Sequence, residues 1–130
     1  MIAIGYDIGS SFVKAALVDG ETGKPIERVR VPDAEIPMIA NEIGWAEQDP
    51  KLWWEYLCDA TKSLIEKANI KADQISSIGI SYQMHGLVLV DENLSPLRKS
   101  IIWCDSRATP YGEKAFENLG KSYCKENLLN

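Results

Sequence analysis

The chain opens with two apolar runs, Ile2-Ala3-Ile4-Gly5-Tyr6 and Phe12-Val13-Lys14-Ala15-Ala16-Leu17-Val18, around a polar turn, Asp7-Ile8-Gly9-Ser10-Ser11. That pattern commits the N-terminus to a β-hairpin. Gly9 permits a backbone angle that a side chain obstructs, and it lets a ligand approach the main chain. Ser10 and Ser11 add hydroxyls, and the amides of such a turn can point at an anion. Lys14 supplies a positive charge just beyond it. Asp7, at the end of a buried strand, needs a cation or hydrogen-bond donors to meet it. A Mg²⁺ ion carrying nucleotide phosphates is one such partner. In ordinary hairpins Asp and Ser simply satisfy turn amides, so the turn alone leaves a phosphate site and a plain turn both open.

The rest of the composition narrows the setting. At 130 residues the chain has room for one domain core and not for two ordinary domains. Nineteen acidic residues against fourteen basic ones give a net charge of -5, which argues against a nucleic-acid or anionic-membrane surface. No apolar segment approaches the length of a bilayer span, and the N-terminus enters a strand without a charged leader. Cys58, Cys104 and Cys124 are odd in number and widely spaced. They fit reduced thiols in a cytoplasmic protein better than disulfides or a zinc site, and Cys58 reads as a small buried helix residue.

A third strand, Pro25 to Val31, follows the turn Asp19-Gly20-Glu21-Thr22-Gly23. Pro32 to Gly44 then reads as an ordered surface loop. Asp49 as N-cap and Pro50 at the first position start a helix that should end near Asn69. Its apolar stripe is Trp53, Leu57, Ala60 and Leu64, widened by Tyr56 and Ala68. Ile75 to Ser81 reads as a buried strand. Leu87 to Val90 and Lys99 to Trp103 read as strand partners around the turn Asp91 to Pro96, and Ala108 to about Leu119 as a last helix. Three strands, a helix and further strands make a mixed α/β order rather than strict alternation.

Two later segments carry polar groups just after apolar strands, where open sheets present ligand groups. In Ser81-Tyr82-Gln83-Met84-His85-Gly86, Gln83 and His85 offer donors and acceptors suited to a polyhydroxylated substrate, and Met84 can pack on the apolar edge of a sugar. The chain's single histidine equally suits a satisfied structural position. In Ile101-Ile102-Trp103-Cys104-Asp105-Ser106-Arg107, Trp103 can face a carbon skeleton or simply pack in the core. Asp105 and Arg107 can orient one another at a ligand or hold the turn.

Taken in order, Asp7-Ile8-Gly9-Ser10-Ser11-Phe12-Val13-Lys14, Gly44-Trp45-Ala46-Glu47-Gln48-Asp49-Pro50 with Trp53-Trp54, Gly79-Ile80-Ser81-Tyr82-Gln83-Met84-His85-Gly86 and Ile102-Trp103-Cys104-Asp105-Ser106-Arg107 resemble the FGGY carbohydrate kinases. The similarity runs over essentially the whole chain and is strongest toward the members that act on xylulose. It implies an α/β, ribonuclease H-like fold of the actin-like ATPase and sugar kinase superfamily: a mixed sheet with flanking helices. Residues 1–130 would be the N-terminal portion of the sugar-binding domain, and the domain would be incomplete.

The resemblance further implies ATP-dependent phosphorylation of a ketopentose, xylulose first, with ATP and Mg²⁺ as cofactors. Asp7 would act through Mg²⁺, with Gly9, Ser10 and Ser11 as the phosphate turn and Lys14 near the phosphates. Met84 and His85 match positions that contact the sugar, with Gln83, Trp103 and Asp105 beside them. The family's catalytic Asp lies further along the chain and its adenine site in a second domain, so the segment alone is expected to be inactive. The partners would be the sugar and ATP, with a homodimer open to the full-length enzyme. A kinase for another sugar or polyol, or a non-catalytic binding module, are the alternatives. Glycerol is disfavoured, because the family prefers an Arg-Glu pair where Met84-His85 stands.

Overall fold

A computed structural model describes residues 1–128. Alternation of side chains builds the first layer. In β1 (Ile2–Ile8) and β2 (Val13–Asp19), Ile4, Tyr6, Val13, Ala15 and Leu17 all point to one face and are buried there. The strands pair antiparallel with Tyr6 opposite Ala15 and Asp7 opposite Lys14. β3 (Pro25–Val31) continues the meander, again antiparallel.

Asp49 then caps α1 (Pro50–Ala68), its side chain accepting from the Lys51 amide, and Asn69 closes the helix in the left-handed conformation at φ 51°. The expected stripe is the one that packs. Ala60 and Leu64 have no exposure, and Trp53, Tyr56 and Leu57 are half-buried against the same cluster. α1 rests chiefly on β2 and β3. A hydroxyl pair, Tyr6 Oη and Thr61 Oγ1 at 2.7 Å, ties it to β1 as well.

β5 (Ile75–Tyr82) lies parallel to β1, giving a mixed sheet of order β3-β2-β1-β5. The strand forms where the sequence placed it, but it is not buried. Ile78 and Ile80 are 66 % and 59 % exposed. β5 sits at the edge of the sheet, and α1 is centred two strands away.

The second hairpin also differs from expectation. Leu87 to Val90 forms no regular strand, and only the bridges Leu87 to Ile101 and Val90 to Pro96 survive. β6 is just Ser100–Ile101, and it pairs with a strand the sequence reading lacked, β4 (Glu47–Gln48). Arg98 and Lys99 reach Glu47 and Asp49 respectively, and these ion pairs hold β6 against β4 while Ile101 keeps its single bridge to Leu87 on the other side.

The 32–46 connection is an ordered loop, with Ile36 buried and its amide bonded to the Ser11 carbonyl at 2.9 Å. α2 (Thr109–Leu119) matches expectation. Gly120, at φ 84°, then breaks the helix, and α3 (Lys121–Asn127) follows unforeseen. The three thiols are free, and Cys58 is half-buried rather than buried, whereas Cys124 is buried. No helix among the described residues is long and apolar enough to cross a membrane.

Because Leu64 sits fully buried between α1 and the sheet, Leu64→Ala should cost about 2–5 kcal/mol of stability in urea unfolding. A loss below about 0.5 kcal/mol, the size of an ordinary surface change, would mean that α1 is not seated as described.

Candidate active site

The hairpin turn is closed from within. Gly9 donates its amide to the Phe12 carbonyl at 3.0 Å. A side chain at this position would press within 3.1 Å of that same oxygen. A side chain at Gly9 would need the Phe12 carbonyl to give by a few tenths of an ångström, and the Gly9 φ is not in the left-handed region, so the special backbone angle expected there is absent. Its amide is engaged inside the turn and is not available to a ligand. The Ser10 and Ser11 amides have no recorded partner among the described residues, and they remain as donors.

Asp7 and Lys14 face each other across the strand register, with Nζ 3.0 Å from Oδ2, both about half-exposed. They line a hollow of about 590 Å³ on the face of the sheet opposite α1, together with Arg28 and Arg30. Arg30 stacks its guanidinium 4.4 Å from the centre of the Phe12 ring. The hollow is therefore cationic within an acidic protein.

Asp7 is a single half-exposed carboxylate with one oxygen on Lys14. No group of three or more potential metal ligands occurs among the described residues. That donor set suits Mg²⁺ arriving with nucleotide phosphates and keeping its waters, not a metal caged by protein alone.

The 101–107 segment reaches the same turn. Trp103 is exposed, and its indole Nε1 donates to Ser10 Oγ at 3.2 Å. Two residues on, Asp105 is held on every side. Its Oδ1 accepts from the Arg107 backbone amide at 2.9 Å and from Nε at 2.8 Å. Its Oδ2 accepts from Arg107 Nη2 at 2.7 Å and from the Ala46 amide at 2.7 Å. The side chain is only 2 % exposed.

Arg107 also pairs with Glu47 at 2.8 Å and lies 3.8 Å from the Trp45 ring centre. The hydrogen bonds from Arg107 pull the Asp105 carboxyl down to about 2, against the opposing effect of burial, with the Ala46 amide helping. The same contacts raise the Arg107 guanidinium further. Gly44, at φ 82°, completes the strap. Its carbonyl takes the Ser106 amide at 2.8 Å, and a side chain there would collide with Ser106 Oγ.

The 81–86 segment starts beside the turn because the Gln83 amide bonds the Ile8 carbonyl at 2.9 Å. The side-chain amide of Gln83 is buried with neither atom partnered among the described residues, and it lines a hollow of about 250 Å³ with Trp53, Trp54 and Tyr82. Met84 is exposed, and His85 takes a left-handed φ of 61°, uncommon for a side-chain-bearing residue, which redirects the chain.

Asp7, Ser10, Ser11, Lys14 and Trp103 are thus gathered at one end of the sheet, and Gln83, Met84 and His85 leave β5 at that end. Asp105 is set back behind Trp103. Glu47 and Gln48 were part of a recognised block, but their own contacts were not foreseen. Their signal was a charged and an amide side chain directly before a helix cap.

Residues 2–130 match the FGGY family of carbohydrate kinases, N-terminal domain. The chain is 37 % identical over 117 residues to the xylulose kinase of Bacillus subtilis, covering 90 % of this chain and 23 % of that protein. Among solved structures, a ligand-bound xylulose kinase from Lactobacillus acidophilus superposes with a TM-score of 0.80 at 30 % identity, over 91 % of this chain and 23 % of that one. A gluconate kinase from the same organism gives 0.74 at 31 %, with the same coverage. The chain spans about a quarter of the length of these relatives, and its fold is that of the actin-like sugar kinases.

Asp105, with its carboxyl held near 2, stabilises the fold fully above 3.8, and that contribution is lost as pH falls from 3.8 toward about 2. Asp49, lowered mainly by Lys99, acts in the same direction. Asp105→Asn should therefore melt several degrees lower at neutral pH and lose stability less steeply in acid. Thermal melts at stepped pH check this, and equal acid slopes would refute it.

Proposed function

The chain belongs to the FGGY family of carbohydrate kinases, and from that premise we propose that residues 1–130 are the N-terminal portion of the sugar-binding domain of an ATP-dependent ketopentose kinase, with xylulose as substrate. The observation that carries this is the bond from Trp103 Nε1 to Ser10 Oγ. Phosphoryl transfer depends on positioning acceptor and phosphate within reach of one another. Here a residue from the sugar-side segment touches the turn that would hold the phosphates.

In this reading the Ser10 and Ser11 amides donate to phosphate oxygens, and Lys14 neutralises charge on them. Gly9 shapes the turn. Asp7 would hold the nucleotide's Mg²⁺, which supplies charge neutralisation when bound. Met84 and the Trp103 ring pack on sugar carbons, while His85 and Gln83 hydrogen-bond hydroxyls. Asp105 serves the sugar side by fixing the turn that presents Trp103, since its own carboxylate is engaged and buried. Cytoplasmic location and a homodimeric enzyme complete the proposal. A second reading, a kinase for a different sugar or sugar acid, is favoured by the comparable similarity to a gluconate kinase.

The test is an assay of the complete gene product with ATP against ketopentoses and gluconate. Xylulose should give the highest kcat/KM, and Asp7→Asn should lower kcat at least about a hundredfold. Turnover of gluconate and not xylulose would overturn the substrate while leaving the family intact. Residues 1–130 alone should give no sugar phosphate, because the family's proton-accepting Asp lies beyond this segment. Any ATP-dependent product from them would refute the partial-domain reading.

A further inference from the structure

Gln48 lies in β4 with 1 % exposure, and every hydrogen-bonding group of its side chain has a partner. Nε2 donates to the Ser10 carbonyl at 2.6 Å and, at a longer 3.4 Å, to the Ile36 carbonyl. Oε1 accepts from Trp53 Nε1 at 3.1 Å. Two acceptors on one side and a donor on the other allow a single orientation of the amide. A buried amide is unfavourable against an apolar residue of its size unless such partners are present. Simple filling of this site would favour Met or Leu.

The consequence lies in the geometry of the peptide unit. A trans peptide is planar, with its C=O and the following N–H pointing in opposite directions. When Gln48 draws the Ser10 carbonyl inward, the Ser11 N–H of the same unit must point outward. The Ser11 carbonyl is drawn in likewise by the Ile36 amide at 2.9 Å, which turns out the Phe12 N–H. Neither outward amide has a recorded partner among the described residues. We propose that Gln48 is a positioning residue of the phosphate turn: it holds the Ser10 peptide so that the Ser11 amide faces the anion. The inference rests on reading residues 9–11 as the phosphate turn, and it adds to that reading the residue that orients the donors.

The test is NMR on the complete gene product titrated with millimolar Mg·ATP. In the parent chain the Ser10 and Ser11 amides should shift. Gln48→Met keeps the volume and removes the amide. It should weaken those shifts about tenfold in apparent affinity, the effect of one lost hydrogen bond of about 1.4 kcal/mol. It should also move the ligand-free Ser10 carbonyl ¹³C resonance while Leu64 and Ala60 resonances stay in place, which a general loss of packing would not produce.

Unchanged Mg·ATP shifts in Gln48→Met would overturn the role of Gln48 and leave the phosphate-turn reading standing. No response of the turn amides in the parent chain would overturn the reading itself and this inference with it. Should Gln48→Met fail to fold, Trp53→Phe retains Gln48 and an aromatic ring but removes the donor to Oε1. A Ser10 carbonyl resonance unmoved in that variant would overturn the proposal, and a shift with partial loss of Mg·ATP response would uphold it.

Discussion

A carboxylate as deeply buried as that of Glu47, at 5 % exposure, is tolerable only with cations against it. Arg107 and Arg98 supply them. Much of the site follows from that requirement. Meeting Glu47 fixes Arg107, which grips Asp105, which sets the turn bearing Trp103. It also brings β6 onto β4, so the residue after Glu47 lies beneath the turn between β1 and β2. Replacing the cluster by apolar residues of similar volume can match its stability in principle. Such a replacement would not specify where Trp103 and Gln48 lie.

The elements legible in the sequence are those whose local chemistry and burial agree. α1 carries a cap, a proline at its first position and a continuous apolar stripe, and it was read to within a residue at each end. β1, β2 and β3 alternate cleanly, and their turns have turn residues. The four motif blocks carried the family, because their order along the chain is far more specific than any one of them. The pairing of Asp105 with Arg107 was foreseeable from their spacing around a strand-to-helix junction.

The parts that escaped are set by contacts distant in sequence. β4 has only two residues and no periodicity to read, and it exists because Ile101 and Ser100 come to meet it. The burial of β5 was inferred from β-branched residues, but burial depends on what lies over a strand. α1 is centred on β2 and β3 instead. α3 is short, and its start at a glycine in an extended left-sided conformation gives no N-cap signal. Gly9 was read as serving a special backbone angle and a ligand's approach, whereas its φ is not left-handed and the nearest atom belongs to Phe12. A single sequence shows a glycine more readily than it shows what crowds it.

Ser10 is where the two halves of the site meet. Its carbonyl is held by Gln48, from the block before α1, and its hydroxyl accepts from Trp103, from the block after β6. These blocks are themselves joined by the Glu47 to Arg107 pair and by the Ala46 amide on Asp105. The contacts form a closed ring: hairpin turn, Gln48, Glu47, Arg107, Asp105, Trp103 and back to the turn. Closed rings of this kind resist small displacements better than a chain of contacts, because moving one member strains two bonds at once. Phosphoryl transfer places its main demand on such fixed geometry. The charged residues of the ring therefore contribute mainly by holding an uncharged serine peptide and an indole in contact.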